Sequence, residues 1–135
     1  MARILVVDDE ESIRYTFDSF LSDEGHEVLA ARDYDEALKH ISATDVDMVF
    51  SDVVLGGKTG IDVLSEIRTR GLTCPVVMIT GFPDIETEAQ AMRLGAFDYV
   101  PKPVVQERIL HLTEMALRQR KRSHHRKRRT DRPPK

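Results

Sequence analysis

The sequence predicts an α/β domain, a doubly wound parallel sheet of five strands with helices on both faces. Short aliphatic runs alternate five times along the 135 residues with longer segments whose apolar positions recur every three or four residues. Mostly aliphatic strands separated by helices form parallel sheets that are covered on both faces and joined by right-handed crossovers. The length also suits one domain with one core.

The first two strand-helix units occupy the amino-terminal third of the chain. The aliphatic run RILVV is the first strand, and in the helix after it Ile13, Phe17 and Leu21 share one face, with Gly25 at its end. The run HEVLAA is the second strand. The second helix, DYDEALKHISA, has Asp33 in position to cap its start.

The other three units repeat this pattern. Their strands are DMVFS, PVVMIT and AFDYV, and their helices are IDVLSEIRTRG, DIETEAQAMRLG and VQERILHLTEMAL. A glycine-rich loop separates the third strand from its helix. We expect the flavodoxin-like strand order 2-1-3-4-5, in which the second strand lies at an edge of the sheet.

Charge divides the chain into two parts. Residues 118–135 hold ten Lys or Arg and one Asp, whereas residues 1–117 hold ten basic and twenty-two acidic residues. The basic part has no Val, Ile, Leu, Met or aromatic residue to offset the entropy of ordering it. The sequence therefore predicts a folded domain over residues 1–117 and a disordered basic tail or linker over residues 118–135.

Hydropathy favours a cytoplasmic protein without membrane contact. The longest aliphatic runs, such as residues 4–7, are four residues long, far below the roughly 20 that span a bilayer. The first of them is interrupted by Asp8, which does not fit a signal peptide.

Polar residues follow four of the five predicted strands. Asp8 and Asp9 come after the first strand, Asp52 ends the third, Thr80 ends the fourth and Lys102 follows the fifth. Ligands of such sheets bind at the carboxyl ends of the strands, and strands one, three, four and five are neighbours in the expected order. These five side chains should therefore share one pocket.

Their chemistry indicates phosphoryl transfer. Two carboxylates about 4 Å apart repel by on the order of 4 kcal/mol at an effective dielectric near 20, so a cation must compensate them. A hard ion such as Mg²⁺ suits an all-oxygen site, and Lys102 adds a movable charge that can meet a phosphate. With the hydroxyl of Thr80, these groups can position and neutralise a phosphoryl group, and Asp52 is the candidate nucleophile.

These residues also fit other interpretations. Each polar residue could singly be a helix cap, a turn residue or a solvated charge. A flavodoxin-like cofactor-binding module needs a phosphate-binding loop after strand one, where this chain has the acidic DDEES. An aspartyl-nucleophile phosphatase would carry a D-x-D pair there. Only a signalling module controlled by phosphorylation accounts for all five positions.

Four motifs carry a family resemblance. The segments ILVVDDE, Asp52 with a glycine eight positions later, MITG with Thr80, and GAFDYVPKP with Lys102 resemble the receiver domain of bacterial two-component response regulators over residues 1–117. The stretch TGFPDIETEAQAMRLGAFDYVPKP is most similar to receivers of the nitrogen-regulator type, which usually precede a sigma-54-activating ATPase. No such ATPase lies within these 135 residues.

The resemblance implies a phosphoacceptor that assists its own phosphorylation and dephosphorylation, rather than an enzyme with a separate substrate. Asp52 would receive the phosphoryl group from the phosphohistidine of a histidine kinase or a phosphotransfer protein. Mg²⁺, or Mn²⁺ in its place, would be bound by Asp9, Asp52 and the backbone carbonyl of Val54, with Asp8 acting through water.

The resemblance also implies a switch. Lys102 would pair with the phosphoryl group, Thr80 would hydrogen-bond it, and Tyr99 would turn inward to control a transcriptional or other output. The peptide bond between Lys102 and Pro103 is expected to be cis. A homodimer would form through the face of helix 4, strand 5 and helix 5. Nucleic acid would be bound only through an effector domain outside this chain, or weakly through the basic tail.

Two further features bear on the site. Val54 and Phe82 stand where receivers border the approach of the hydrolytic water, and neither side chain can orient it, so the phosphorylated state should be long-lived. The loop after Asp52 departs from the family, with Gly56 in place of a proline and Lys58 in place of an apolar residue.

Overall fold

The fold is the predicted one. The computed structural model describes the backbone of residues 1–130 and the side chains of residues 1–120, and contains five strands and five helices in strict alternation. The strands are β1 (Arg3–Val7), β2 (Glu27–Ala31), β3 (Met48–Asp52), β4 (Val76–Thr80) and β5 (Asp98–Pro101). The helices are α1 (Glu11–Asp23), α2 (Tyr34–Ala43), α3 (Gly60–Thr69), α4 (Ile85–Arg93) and α5 (Gln106–Thr130).

All strand pairs are parallel and the sheet order is β2-β1-β3-β4-β5, which confirms the prediction. The register aligns the carboxyl ends of the central strands, with Val7 opposite Ser51, Asp52 opposite Ile79 and Thr80 opposite Pro101. Side chains that end different strands are thereby brought to one edge of the sheet.

Each face of the sheet has its own hydrophobic core, because alternate side chains of a strand point to opposite faces. Leu5 and Val7 of β1 pack in the cluster that α2, α3 and α4 cover, and Ile4 and Val6 pack in the cluster that α1 and α5 cover. The second cluster includes an edge-to-face contact between Phe17 and Phe50, with ring centroids 5.1 Å apart. Burial on both faces explains why the strands are aliphatic throughout.

Local sequence sets the starts of two helices, one of which was predicted. The Asp33 side chain accepts a hydrogen bond of 2.9 Å from the backbone N–H of Glu36, as the predicted cap of α2. Thr59 and Asp62 form a reciprocal capping box at the start of α3. The peptide bond between Lys102 and Pro103 is cis, as predicted.

The carboxyl-terminal helix is longer than the predicted segment VQERILHLTEMAL. Helix α5 continues to Thr130 through most of the segment for which we expected a disordered tail, while residues 131–135 lie outside the described part of the chain. Lys and Arg are good helix formers, and extending a helix that is already packed costs far less than starting one. Arg120 also ties the helix to the domain, since its Nη1 donates to Val46 O at 2.9 Å and to Asp47 Oδ1 at 3.2 Å.

Within the described residues, no helix combines the length and the apolar character that crossing a membrane would require.

Candidate functional site

The carboxyl edge of the sheet brings three of the predicted residues into direct contact. The Lys102 ammonium Nζ lies 2.8 Å from Asp52 Oδ2 and 3.0 Å from Asp8 Oδ2. The side chains are 17% exposed for Lys102, 7% for Asp52 and 3% for Asp8. A single ammonium is therefore shared between two carboxylates that are almost excluded from water.

Burial and charge pull the protonation of these groups in different directions. The pKa of Asp8 is raised chiefly because burial disfavours its charged form, and the nearby Asp52 adds to this, against hydrogen bonds from the Glu10 N–H and Lys102. Burial by itself lowers the pKa of Lys102, but the hydrogen bonds to Asp52 and Asp8 outweigh it, so its pKa is raised. The ammonium stays charged, and this single positive charge is shared by the two carboxyl groups of Asp8 and Asp52.

Asp52 is held in place on both of its oxygens. Oδ2 contacts Lys102, and Oδ1 accepts a hydrogen bond of 3.1 Å from the backbone N–H of Val54. Gly60 packs so closely behind the strand end that a Cβ there would collide with the backbone carbonyl of Asp52. The glycine eight positions after Asp52 is thus required by a close backbone approach.

The loop after β1 supplies a second group of acids. Carboxylate oxygens of Asp8, Asp9 and Glu10 lie within 4.8 Å of one another, with Asp8 buried and the other two exposed. Glu10, which the sequence analysis left out of the site, also lies 3.8 Å from the Lys102 Nζ through its Oε1. An all-oxygen donor set of this kind fits a hard divalent cation such as Mg²⁺.

Thr80 and Tyr99 lie on the next two strands. Thr80 is fully buried, and its Oγ1 accepts a hydrogen bond of 3.0 Å from the backbone N–H of Phe82. The Tyr99 ring is only 9% exposed, and its hydroxyl oxygen accepts a hydrogen bond of 3.2 Å from the N–H of Asp84, which caps α4.

Tyr99 is therefore already buried in this structure, and its turn on phosphorylation stays a prediction. The ring belongs to the core cluster of its face, and the Asp84 N–H provides a partner for the hydroxyl, so the buried position leaves no polar group unpaired.

The two residues expected to border the water approach lie on exposed loops. Val54 is 50% exposed and Phe82 is 79% exposed. Their backbone amides are already bonded to Asp52 and Thr80, respectively. Their side chains have no hydrogen-bonding group to offer a water molecule.

Arg14 was missed by the sequence analysis. Its guanidinium Nη1 donates a hydrogen bond of 2.7 Å to the backbone carbonyl of Asp8 and so holds the acidic loop against α1. The available signal was that Arg14 is the sole basic residue among residues 11–23.

Comparisons with known proteins agree with this geometry. The family model for the response regulator receiver domain matches residues 4–114. The nitrogen assimilation regulatory protein NtrX of Azorhizobium caulinodans is 40% identical over 116 residues, which are 84% of this chain and 26% of that protein. The chain thus spans about a quarter of the length of this relative.

Solved structures show the same domain. The receiver domain of NtrX from Brucella abortus is 44% identical with a TM-score of 0.79, over 85% of this chain and 98% of that one. A CheY-like response regulator receiver domain protein from Methanospirillum hungatei is 27% identical with a TM-score of 0.87, over 91% of this chain and 98% of that one.

The sequence resemblance, including the likeness to nitrogen-regulator receivers, is therefore confirmed by matches that cover nearly the whole domain. The strand order and the polar residues at the carboxyl edge agree with it. The chain belongs to the family of response regulator receiver domains, the signalling modules of two-component systems.

Proposed function

We propose that this receiver domain accepts a phosphoryl group on Asp52 from the phosphohistidine of a histidine kinase or a phosphotransfer protein. The observation that carries the proposal is the Lys102 ammonium held between Asp52 and Asp8 at the buried edge of the sheet. In the reaction an Asp52 carboxylate oxygen bonds to phosphorus as the bond between phosphorus and the histidine nitrogen breaks. The histidine leaves and Asp52 becomes an acyl phosphate.

The residues around Asp52 assist by position and charge, which dominate phosphoryl-transfer catalysis. Lys102 would pair with the incoming phosphoryl oxygens, because its ammonium already contacts the Asp52 oxygen Oδ2. Thr80 would turn its hydroxyl from the Phe82 N–H towards the phosphoryl group. The Val54 N–H holds Asp52 Oδ1, and Oδ2 would become available to attack as Lys102 moves to the incoming phosphoryl oxygens.

A bound Mg²⁺, or Mn²⁺, would neutralise charge that builds up on the phosphoryl oxygens. We propose that Asp9, Asp52 and the Val54 carbonyl hold it directly and that Asp8 acts through water. Glu10 is close enough to Asp8 and Asp9 to join the set.

The conformational output is proposed to pass through α4, β5 and α5. Thr80 and Tyr99 both contact the loop between β4 and α4, through the amides of Phe82 and Asp84. Phosphorylation replaces the single negative charge of the Asp52 carboxylate with about two on the phosphoryl group and adds new acceptor oxygens. Drawing Thr80 towards them would release the Phe82 amide and shift the start of α4, even though Tyr99 is already buried. Loss of this loop's hydrogen bonds is the local change that would be transmitted to α4, β5 and α5.

We further propose that the domain acts in the cytoplasm, forms a homodimer through the α4-β5-α5 face when phosphorylated, and controls transcription or another output through a separate effector. Any direct binding of nucleic acid by residues 118–135 would be weak. These residues have no aromatic side chain for stacking, and the acidic remainder of the chain would repel a polyanion.

The function is tested by phosphorylating the full chain with phosphoramidate, which carries a phosphorus–nitrogen bond as phosphohistidine does. Wild-type protein with Mg²⁺ should gain one acid-stable, hydroxylamine-labile phosphoryl group, and the Asp52→Asn variant should gain none. Asp35→Asn is the matched control, because Asp35 is an exposed acid on α2. Modification that persists in Asp52→Asn, or that does not need a divalent ion, would reject the corresponding part of the proposal.

A further inference from the structure

The loop between β3 and α3 carries Val54, whose backbone N–H contacts Asp52. Both ends of the loop are fixed, since the Val53 N–H donates to Ile79 O at 2.8 Å and the Gly60 N–H donates to Val53 O at 2.9 Å. Its centre has two glycines with positive φ, Gly56 at 65° and Gly57 at 154°. Glycines lose more conformational entropy on ordering than other residues, so this part of the loop needs contacts that hold it.

The two glycines border an open groove. It has a volume of about 250 Å³, lies between the loop and the start of α2, and is lined by residues 33–35 and 55–58. On one side of the glycines Leu55 is buried in the core, 4% exposed. On the other side Thr59 is held by the capping box at the start of α3, so the unsupported stretch is residues 56–58.

A contact across the groove also supports the glycine segment. The Lys58 Nζ lies 4.4 Å from the centroid of the Tyr34 ring, within the range of a cation–π interaction. Tyr34 is the first residue of α2, and its half-buried ring packs against the same core cluster as Leu55. The ring is therefore a rigid support for the ammonium.

We propose that Lys58 and Tyr34 are positioning residues that hold the diglycine loop, and with it the amide and carbonyl of Val54, at Asp52. The proposal deepens the proposed function, because the Val54 carbonyl is one of the expected ligands of the divalent ion. Neither residue touches the reacting atoms. Their effect is to keep the loop in the conformation in which the Val54 N–H lies 3.1 Å from Asp52 Oδ1.

The sign of the effect on Mg²⁺ binding separates positioning from simple electrostatics. Removing a positive charge near an acidic site should strengthen the binding of a divalent cation by Coulomb's law. Loss of the positioning contact should weaken it, because the loop must be ordered when the ion binds. Lys58→Met is therefore expected to bind Mg²⁺ more weakly in spite of its more negative charge.

The experiment compares four single variants and one double variant of the full chain by calorimetric Mg²⁺ titration and by amide hydrogen exchange without metal. Lys58→Met and Tyr34→Leu should each raise the Mg²⁺ Kd by about two- to fivefold, the range of an exposed cation–π contact. They should speed exchange similarly at Val54 and Gly60, whose amides are hydrogen-bonded. Lys58→Arg and Tyr34→Phe keep a cation over a ring and should restore wild-type values. The double variant Lys58→Met with Tyr34→Leu should be no worse than the poorer single variant.

The control is Lys39→Met, which removes one positive charge from an exposed position of α2 and should leave exchange in the loop unchanged. Tighter Mg²⁺ binding by Lys58→Met, unchanged exchange, or additive single effects would overturn the proposal. If wild-type protein bound no Mg²⁺, the metal part of the proposed function would fail. The exchange data would still decide whether Lys58 and Tyr34 hold the loop.

Discussion

Replacing Lys102 with methionine should destabilise the metal-free domain and make its stability depend strongly on Mg²⁺. Methionine keeps a long side chain that can fill the same space, but it removes the one ammonium that contacts both Asp8 and Asp52. Two nearly buried carboxylates would then face each other without a counter-charge, which costs much more than the loss of an exposed ion pair.

The magnitude follows from the geometry. The Lys102 ammonium contacts the two carboxylate oxygens at 2.8 and 3.0 Å, so these oxygens lie less than about 6 Å apart. Two unit charges at that distance repel by about 3 kcal/mol at an effective dielectric near 20. Removing one partner of a buried ion pair typically costs about 3–5 kcal/mol. We expect a loss of about 3 kcal/mol in the free energy of unfolding, at the lower end because Asp8, whose pKa is already raised, can take up a proton.

The assay is urea unfolding followed by far-ultraviolet circular dichroism at pH 7, in EDTA and in Mg²⁺. A ligand at about 100 times its Kd stabilises the folded state by about 2.7 kcal/mol. Mg²⁺ should bind the variant more tightly than the wild type, because the competing ammonium is gone, and should recover most of the loss. Lys39→Met, at an exposed position of α2, controls for the change in net charge.

Two results would refute this reasoning. A variant within about 1 kcal/mol of the wild type in EDTA would mean that the two carboxylates do not need the ammonium, given that surface substitutions usually stay within about 0.5 kcal/mol. An equal gain from Mg²⁺ in both proteins would mean that Lys102 and the metal do not serve the same carboxylates.

Three other predictions concern separate parts of the molecule. Burial raises the folded pKa of Asp8 above its unfolded value of 3.8, so the stability that Asp8 contributes is present below pH 3.8 and is lost as the pH rises through the folded pKa. Asp8→Asn should remove this loss in unfolding experiments without metal. An unchanged pH dependence of the free energy of unfolding would contradict this prediction. Phe82→Glu combined with Val54→Asn should speed loss of the phosphoryl group in Mg²⁺, and each tenfold change in rate corresponds to about 1.4 kcal/mol of barrier. An equal or slower rate, with the fold and the Mg²⁺ affinity intact, would show that these side chains do not control the hydrolytic water. Arg120→Met should lower the free energy of unfolding by about 0.5–1 kcal/mol, since the hydrogen bonds of Arg120 to Val46 O and Asp47 are partly exposed. It should also speed amide exchange in the last turns of α5. Unchanged exchange there would mean that the helix does not depend on these hydrogen bonds.

Much of the site could be predicted from the sequence because parallel topology makes it a matter of strand order. Once the strands are identified by their aliphatic runs, the residues after them must meet at one edge of the sheet. Asp8, Asp52 and Lys102 are far apart in the chain, yet their positions at strand ends suffice to bring them together. The cap at Asp33 was predictable for a similar reason, since it depends only on residues within one helical turn.

Other features were decided only by the tertiary structure. The extension of α5 to Thr130 was not predicted, because composition alone does not reveal that a packed helix can propagate into a charged segment or that Arg120 meets Asp47. The burial of Tyr99 depends on the Asp84 amide, which lies on another loop.

The details of charge pairing depend on tertiary structure for the same physical reason. Three contacts illustrate this, because each is a distance between side chains on different elements. They are the contacts of the Lys102 ammonium with Asp8 and Asp52, its approach to Glu10, and the contact of Lys58 with the Tyr34 ring. Such distances depend on rotamers and on the packing of loops, which spacing along the chain does not encode. The sequence determines which groups reach the edge of the sheet, and the packed structure determines which of them touch.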